Sequence, residues 1–537
     1  MTSSVEIRVM ADRPIGKWRP VWNWFGYDEP NYTYLPNGKK LLRDLAALHD
    51  GPVYARAHNL LTSGDGAPSL KWGSTGVYRE DATGASAYSW AIMDRIFDAY
   101  VEAGVTPFVQ AGFMPEALTT GPAPYRHGFP DSGITTGWAW PPKDYGRWSD
   151  LIEAWARHLV ERYGAARVAH WPWEIWNEPD GLYWKGTIPE FCHLHDIADA
   201  AIRRAIPEAR VGGPHTCGPL DAKAAAFLRA FLEHAARGRN YATGKTGTQL
   251  DFIAFHAKGK PRIVEGHVRM GIATQLGNVA EGLKIVLEFP EFAGVPVVLG
   301  ESDPEGCAAC SIKTHPKNIY REGPIYGASV VEATTRTLQL AARNGIAIEG
   351  AVTWAFEFEG EPFFAGYREL ATNGIAKPVL NAFRMLGMLK GERLMATSSA
   401  ALSLNAILDR GVAGAPDIDC IATRDDNGIH VLVWNYHDDD LPEMGEVPVA
   451  LEIGGLRSGA CIARHYRMDG EHSNAHAAFR AMGAPGRPTR AQYSELEAAS
   501  RLACLREPTP LVSDGGTLRF DFSLPRHAVS LISLSSA

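Results

Sequence analysis

The chain has 537 residues and a formal net charge of −8 at pH 7, so it is long enough for two domains and carries no basic excess. Lys and Arg are scattered along it, which argues against a nucleic-acid partner and favours a neutral or small substrate. No apolar run approaches the roughly 18 residues that span a bilayer, and the start lacks an export signal, so we expect a cytoplasmic protein with no membrane partner.

From about residue 17 to 380, short apolar or aromatic runs alternate with amphipathic helical stretches, a pattern typical of a parallel sheet. In the stretch AIMDRIFDAYVEAG, for example, the apolar residues share one helical face and Gly104 ends the helix. Eight strands are predicted, and a closed (β/α)8 barrel is the economical arrangement for them. Their ranges are 19–26, 53–61, 106–113, 171–180, 209–214, 251–259, 296–302 and 347–356.

Beyond the barrel, the pattern changes to alternating strands separated by Gly, Asp-Asn-Gly and Pro turns, which predicts a β-sandwich. The N-terminal run VEIRVMA also alternates, and we expect it to add a strand to that sandwich. The predicted fold is therefore a TIM barrel over residues 15–385 with a β-sandwich accessory domain formed by 1–14 and 386–537.

The first candidate catalytic residue, Glu178, ends the fourth predicted strand in the motif Trp-Glu-Ile-Trp-Asn-Glu-Pro. Catalytic side chains of (β/α)8 barrels lie at the carboxyl ends of the strands. Burial there, together with the charge of a second carboxylate, is expected to raise the pKa of Glu178 and make it a general acid. Asn177, directly before it, belongs to the same motif and is expected to bind the substrate.

The second candidate, Glu301, follows the apolar run VPVVLG at the end of the seventh predicted strand. Strands four and seven face one another across the barrel mouth, so the two carboxylates can flank a glycosidic bond. A separation of roughly 5–5.5 Å between them gives double displacement with retention of configuration. Glu178 is then the acid/base and Glu301 the nucleophile, and no metal or organic cofactor is required.

With these motifs the chain resembles glycoside hydrolase family 39 of clan A, and within it the β-xylosidases. The resemblance implies that His58, in the run Tyr-x-Arg-x-His-x-Leu-Leu, contacts a sugar hydroxyl. It also implies that His256 lies beside the nucleophile, that Trp354 stacks under the sugar and that Glu361 binds substrate. The sequence departs from the family pattern at Gly-Glu301-Ser-Asp, where the family commonly has Thr-Glu-aromatic, and in the acidic loop after Trp354.

The resemblance implies an exo-acting β-1,4-xylosidase that releases xylose from the non-reducing ends of xylo-oligosaccharides. Two alternatives remain open: a glycosidase of the same fold for another sugar, such as L-arabinose or a uronic acid, and a non-catalytic carbohydrate-binding protein. A uronidase needs a cation near the sugar carboxylate, so a Lys or Arg in the pocket favours that reading. The sequence allows an oligomer but defines no state.

Seven cysteines, an odd number spread thinly, argue against a disulfide framework and for a reducing compartment. Cys307 and Cys310 form a C-x-x-C without a second pair or a His cluster at zinc-ligand spacing. We interpret them as two thiols in a loop.

Overall fold

The computed structural model describes residues 4–131, 133–441, 445–456 and 459–536. Its centre is a closed barrel of eight parallel strands, each of which overlaps a predicted segment; the first and fifth strands extend one and two residues beyond theirs. The barrel prediction is therefore confirmed. In chain order the strands are Trp24–Tyr27, Tyr54–Ala57, Thr106–Ala111, Pro172–Ile175, Arg210–Thr216, Phe252–Phe255, Val297–Leu299 and Ile348–Trp354.

A helix follows each barrel strand and covers it from outside with an apolar face. The helix Ala91–Ala103 buries Met93, Ile96 and Phe97 and ends at Gly104, whose φ of 81° is left-handed and favours glycine. The eight covering helices are Pro36–Ala46, Ala91–Ala103, Tyr145–Tyr163, Ile188–Ala205, Ala222–Arg237, Ile272–Val286, Pro324–Asn344 and Pro378–Met388. Because these helices and the loops before them link consecutive parallel strands, all eight carboxyl ends meet at one mouth of the barrel.

The second domain is mostly sheet, as predicted, but its hydrogen bonds join ten strands into one sheet. The N-terminal strand makes it continuous, because it pairs with Glu392–Ser398 on one side and with Glu446–Gly454 on the other. Opposite ends of the sheet meet in a shared core, where the rings of His465 and Phe522 lie 5.0 Å apart. The strands are Val5–Lys17, Glu392–Ser398, Asp417–Asp425, Gly428–Tyr436, Glu446–Gly454, Ala460–Met468, Ala503–Cys504, Thr509–Val512, Leu518–Pro525 and Val529–Ser536.

A buried polar cluster joins the sheet domain to the barrel. Arg336, on the helix after the seventh barrel strand, donates to Glu332 at 2.7 Å and also to Asp417 of the sheet. Trp434 of the sheet donates its ring N–H to Glu332 at 2.6 Å. Such paired buried charges tolerate little displacement, so they fix the sheet against one side of the barrel.

The remaining described elements are short. Three small β-hairpins lie in the loops of the barrel domain. They are formed by Tyr78–Glu80 with Ser86–Tyr88, Arg262–Val264 with His267–Arg269, and Ala371–Thr372 with Ile375–Ala376. Four further α-helices cover Ala165–Val168, Leu404–Arg410, Ala475–Ala481 and Arg490–Ala499, and four short 3-10 helices cover Pro30–Tyr32, Gly137–Ala139, Pro290–Phe292 and Pro316–Glu322. Among the described residues, no helix combines the length and apolar character needed to cross a bilayer.

Candidate active site

Both predicted carboxylates lie at the mouth of the barrel, at the ends of the fourth and seventh strands. Glu178 is 8% exposed and Glu301 is 3% exposed. The backbone at Trp176 and Glu178 is left-handed, with φ of 72° and 41°, and the Glu178 N–H donates to the carbonyl of His215 at 2.9 Å. Residues seldom adopt this conformation unless the surroundings impose it, and such positions cluster at functional sites.

The two carboxylates are close enough to act on one bond. One oxygen of Glu178, one oxygen of Glu301 and a ring nitrogen of His256 lie within 4.8 Å of one another. His256 follows the sixth strand, and its Nδ1 lies 2.9 Å from Glu178 and 3.7 Å from Glu301. His256 therefore lies beside Glu301, and its substrate-binding role stays a prediction.

An ammonium group lies between the two carboxylates. Lys258 Nζ is 2.5 Å from Glu178 Oε1 and 2.8 Å from Glu301 Oε2. Asn278 donates to the backbone carbonyl of Lys258 at 2.9 Å and helps to hold this loop. Sequence reasoning did not identify Lys258, although its position two residues after His256 was a usable signal, because both follow one barrel strand.

The sequence-based expectation for the pKa of Glu178 is wrong in this structure. Burial raises the pKa, as expected, but the charge of Lys258 and the hydrogen bond from His256 outweigh it and hold the pKa well below its ordinary value. Glu178 is therefore ionised here. To donate a proton, it must first lose its contact with the Lys258 ammonium.

Glu301 is also held as a carboxylate. Burial and the charge of Glu178 raise its pKa, but Lys258, His256 and Arg368 lower it to about 2. Arg368 reaches the site from the long loop after the eighth strand, with Nη2 3.3 Å from Glu301 and 3.5 Å from Asp303. An ionised carboxylate surrounded by cations has the charge state that a nucleophile requires.

A fully buried arginine orients the residues beside Glu178. Arg56, on the second strand, donates to Glu174 at 2.8 Å and to the side-chain oxygen of Asn177 at 2.8 Å. Glu174 in turn lies 2.7 Å from His215. These contacts leave the Asn177 amide nitrogen buried and without a partner among the described residues, so it is available to donate to a ligand.

A second charged pair borders the pocket near His58. The Nδ1 of His58 lies 2.8 Å from Asp28, which also contacts the Lys71 ammonium. Burial lowers the pKa of His58 below its ordinary value, more than Asp28 raises it, so the ring is neutral. Its Nε2 is buried without a partner among the described residues. A neutral ring with a free nitrogen suits a sugar hydroxyl, but the contact stays a prediction.

Trp354 and Glu361 fit their expected roles less directly. Trp354 ends the eighth strand but is only 1% exposed, and the guanidinium of Arg368 lies 5.0 Å from its ring centre. Glu361 accepts a hydrogen bond from Tyr367 at 2.9 Å, and none of its described contacts involves Glu178 or Glu301. Their substrate-binding roles stay predictions.

The interpretation of the C-x-x-C as two thiols is wrong, because Cys307 and Cys310 form a disulfide. This pairing could not be predicted from the spacing, since a three-residue separation suits a thiol pair, a metal site or a disulfide equally. A ring nitrogen of His315 lies within 4.8 Å of both sulfur atoms.

Glu178, His256 and Glu301 also have the donor types and spacing of a metal site. In this structure, however, the Lys258 ammonium already lies between the two carboxylates and supplies the positive charge. The residues present therefore give no reason to assign a metal to the carboxylate pair.

Comparison with known proteins extends the resemblance to the whole chain. The family model for glycosyl hydrolases family 39 matches residues 5–515. A beta-xylosidase of Caldicellulosiruptor saccharolyticus is 29% identical over 467 residues, which cover 86% of each protein. The alpha-L-iduronidase of Mus musculus is 25% identical over 91% of this chain and 75% of its own length. The crystal structure of a monomeric beta-xylosidase from Caulobacter crescentus CB15 has the same fold, with a TM-score of 0.77 at 22% identity over 99% of both chains. Since the family match spans nearly all of the sequence, this protein is a glycoside hydrolase that belongs to family 39.

Proposed function

We propose that the protein is a retaining, exo-acting β-xylosidase that releases xylose from the non-reducing ends of xylo-oligosaccharides. The observation that carries this proposal is the pair of buried carboxylates, Glu178 and Glu301, with oxygens within 4.8 Å of each other at the barrel mouth. That spacing fits direct attack by Glu301 on the sugar, whereas inversion requires a wider separation that admits a water between the base carboxylate and the anomeric carbon. The similarity to beta-xylosidases over most of the chain supports xylose as the sugar.

In the first step, Glu301 attacks the anomeric carbon while Glu178 protonates the leaving oxygen. Arg368 and Lys258 hold Glu301 ionised. Because Lys258 also holds Glu178 ionised, substrate binding has to draw the ammonium away from Glu178 before that residue can carry a proton. A sugar hydroxyl that accepts a hydrogen bond from Lys258 provides one way to do this.

In the second step, Glu301 is an ester and no longer shares the charge of Lys258. Lys258 is then free to pair with Glu178 alone, which lowers the pKa of Glu178 and makes it a base that activates water. His256, with its ring nitrogen 2.9 Å from Glu178, stabilises the same ionised form. The cation between the carboxylates thus favours the hydrolytic step over the first step.

The test is release of the aryl alcohol from a panel of aryl glycosides. A β-xylosidase cleaves the aryl β-D-xyloside with the highest kcat/KM of the panel. If every glycoside is left intact by folded protein while xylo-oligosaccharides still bind, the chain is a carbohydrate-binding protein and the catalytic proposal is wrong.

A second candidate substrate class is favoured by one observation, the Lys258 ammonium in the pocket. It is 23% exposed and lies among Glu178, Glu301 and the nearby guanidinium of Arg368. A sugar carboxylate would pair with Lys258 and draw it from Glu178, which releases the acid for protonation. Similarity to alpha-L-iduronidases over most of this chain agrees with this alternative. Preferential cleavage of aryl uronides in the same panel would replace xylose by a uronic acid.

The expected cytoplasmic location and the possible oligomer remain predictions. Fractionation of the source cells determines the location, and size-exclusion chromatography with light scattering determines the oligomeric state.

A further inference from the structure

The Cys307–Cys310 disulfide lies in the loop that directly follows the candidate nucleophile. Cys307 is partly exposed, whereas Cys310 is buried. An attacking thiolate can therefore reach the first sulfur, and the second is the leaving group. The closed loop contains only the residues between the two cysteines, so in the chain-entropy account this bond adds less to folding stability than a long-range disulfide does.

The surroundings of the two sulfurs suit thiol–disulfide exchange. A ring nitrogen of His315 lies within 4.8 Å of both sulfurs, and its Nδ1 is buried without a partner among the described residues. Arg321 donates to the carbonyls of Cys307 at 3.1 Å and Cys310 at 3.4 Å. Cationic or donor groups near a cysteine favour the thiolate, which is the form that leaves and attacks.

The backbone of the same loop accepts hydrogen bonds from Arg368, the arginine that contacts Glu301. Arg368 donates to the carbonyls of Glu305 and Gly306, the latter at 2.8 Å. Its backbone N–H donates to the carbonyl of Ala308 at 3.1 Å, between the two cysteines. The Nη2 of Arg368 then lies 3.3 Å from Glu301. Arg368 thus links the loop that contains the disulfide to Glu301. The position of Arg368 depends on the conformation of this loop.

We propose that Cys307 and Cys310 form a reversible thiol–disulfide exchange site whose reduction by a dithiol weakens the contact between Arg368 and Glu301. One thiolate of the dithiol attacks Cys307 Sγ and forms a mixed disulfide, and Cys310 leaves as a thiolate that takes up a proton. The second thiol of the reagent, after losing its proton, attacks the mixed disulfide and leaves as a cyclic disulfide, and Cys307 is protonated. Two electrons and two protons pass from the dithiol to the protein.

Reduction should lower activity because it releases the 307–310 loop and with it the backbone that positions Arg368. Misplacement of a positioning group by about 1 Å can cost roughly a hundredfold in rate, so we expect a loss of about ten- to a hundredfold. The acidic limb of kcat/KM should also move to higher pH. Glu301 keeps its contacts with Arg56, His256 and Lys258 and the repulsion by Glu178, but it loses part of the stabilisation by Arg368.

The test combines thiol titration with kinetics on the intact protein. After denaturation, the oxidised protein should show five thiols and the reduced protein seven. Activity and its pH profile are then measured in both forms and after reoxidation. The double variant C307S/C310S should behave like the reduced form and ignore dithiol, whereas Cys504→Ser, at an exposed cysteine of the sheet domain, should respond like the parent.

The kinetic part of this test rests on the proposed function. Its outcomes distinguish a failure of that function from a failure of the inference. Protein that cleaves no glycoside in either form contradicts the proposed function, while the thiol count still reports on the exchange site. Active protein whose thiol count stays at five under dithiol, or whose rate and pH profile are the same in both forms, overturns the inference. If the double variant fails to fold, the comparison of reduced and oxidised parent protein decides alone.

Discussion

Replacing Lys258 by Met should reveal what the ammonium between the carboxylates does. The substitution keeps the length of the side chain and removes its charge and its hydrogen bonds. In the parent, Nζ lies 2.5 Å from Glu178 and 2.8 Å from Glu301. In the variant, the two carboxylates face each other without that cation, at a site where their oxygens lie within 4.8 Å in the parent. We expect them to share a proton in weakly acidic solution.

The size of the effect follows from the geometry. With an effective dielectric constant of about 20, a pair of unit charges at this range attracts by roughly 6 kcal/mol. Loss of one partner from a buried ion pair usually costs about 3–5 kcal/mol, because the other charge stays buried. Since one pH unit corresponds to about 1.36 kcal/mol, the pair should bind its first proton about two to four pH units higher than in the parent.

The assay is the pH profile of kcat/KM, which reports the pKa values of the free enzyme. On an aryl xyloside, both limbs should move to higher pH, and Lys258→Met should keep or gain activity in weakly acidic solution, where the carboxylate pair of the variant now holds a proton. On an aryl uronide, the variant should lose about a hundredfold, since the partner of the sugar carboxylate is gone. Lys260→Met, at an exposed lysine of the same loop, is the matched control. Profiles that superimpose on the parent's would refute the electrostatic role of Lys258.

Other predictions test the carboxylates directly. Glu301→Ala should lower kcat by roughly 10⁵-fold or more while staying folded by circular dichroism, and a fluoro-sugar inactivator should label Glu301 in the parent. Proton NMR should detect the retained anomer first, and the opposite anomer would mean an inverting enzyme. Glu178→Ala should lose far more on xylo-oligosaccharides than on a dinitrophenyl xyloside, and azide should restore turnover; equal losses without rescue would remove Glu178 from the acid/base role. The pKa of Glu301 is lowered to about 2, so its contribution to stability is present above about pH 4 and disappears towards pH 2. The stability advantage of the parent over Glu301→Gln should shrink over that interval in urea titrations, and an advantage that is constant with pH would contradict this account.

The strands and the two carboxylates could be predicted because their signals are local. Each barrel strand is a short apolar run between amphipathic helices, and this pattern needs no knowledge of distant contacts. Glu178 and Glu301 directly follow such runs, and a strand end has a fixed place at the barrel mouth. The N-terminal strand was also predictable from its alternation. Its place between Glu392–Ser398 and Glu446–Gly454, which makes one sheet out of the expected sandwich, depends on pairings between the two ends of the chain.

The cations of the site could not be predicted in the same way. Lys258 and Arg368 lie on loops, and their contacts with Glu301 arise from how two separate loops fold over the mouth. A lysine in a polar loop is usually solvated, so only the closer position of Lys258 to the end of the sixth strand distinguishes it from Lys260 in the sequence. The error in the expected pKa of Glu178 has the same origin, because burial and repulsion by Glu301 were foreseen and the neighbouring ammonium was not. In the proposed function, the two carboxylates cleave the glycosidic bond, and the position of the ammonium between them determines when Glu178 can carry a proton. The choice between a neutral sugar and a uronic acid therefore depends on which of them can draw Lys258 away from Glu178.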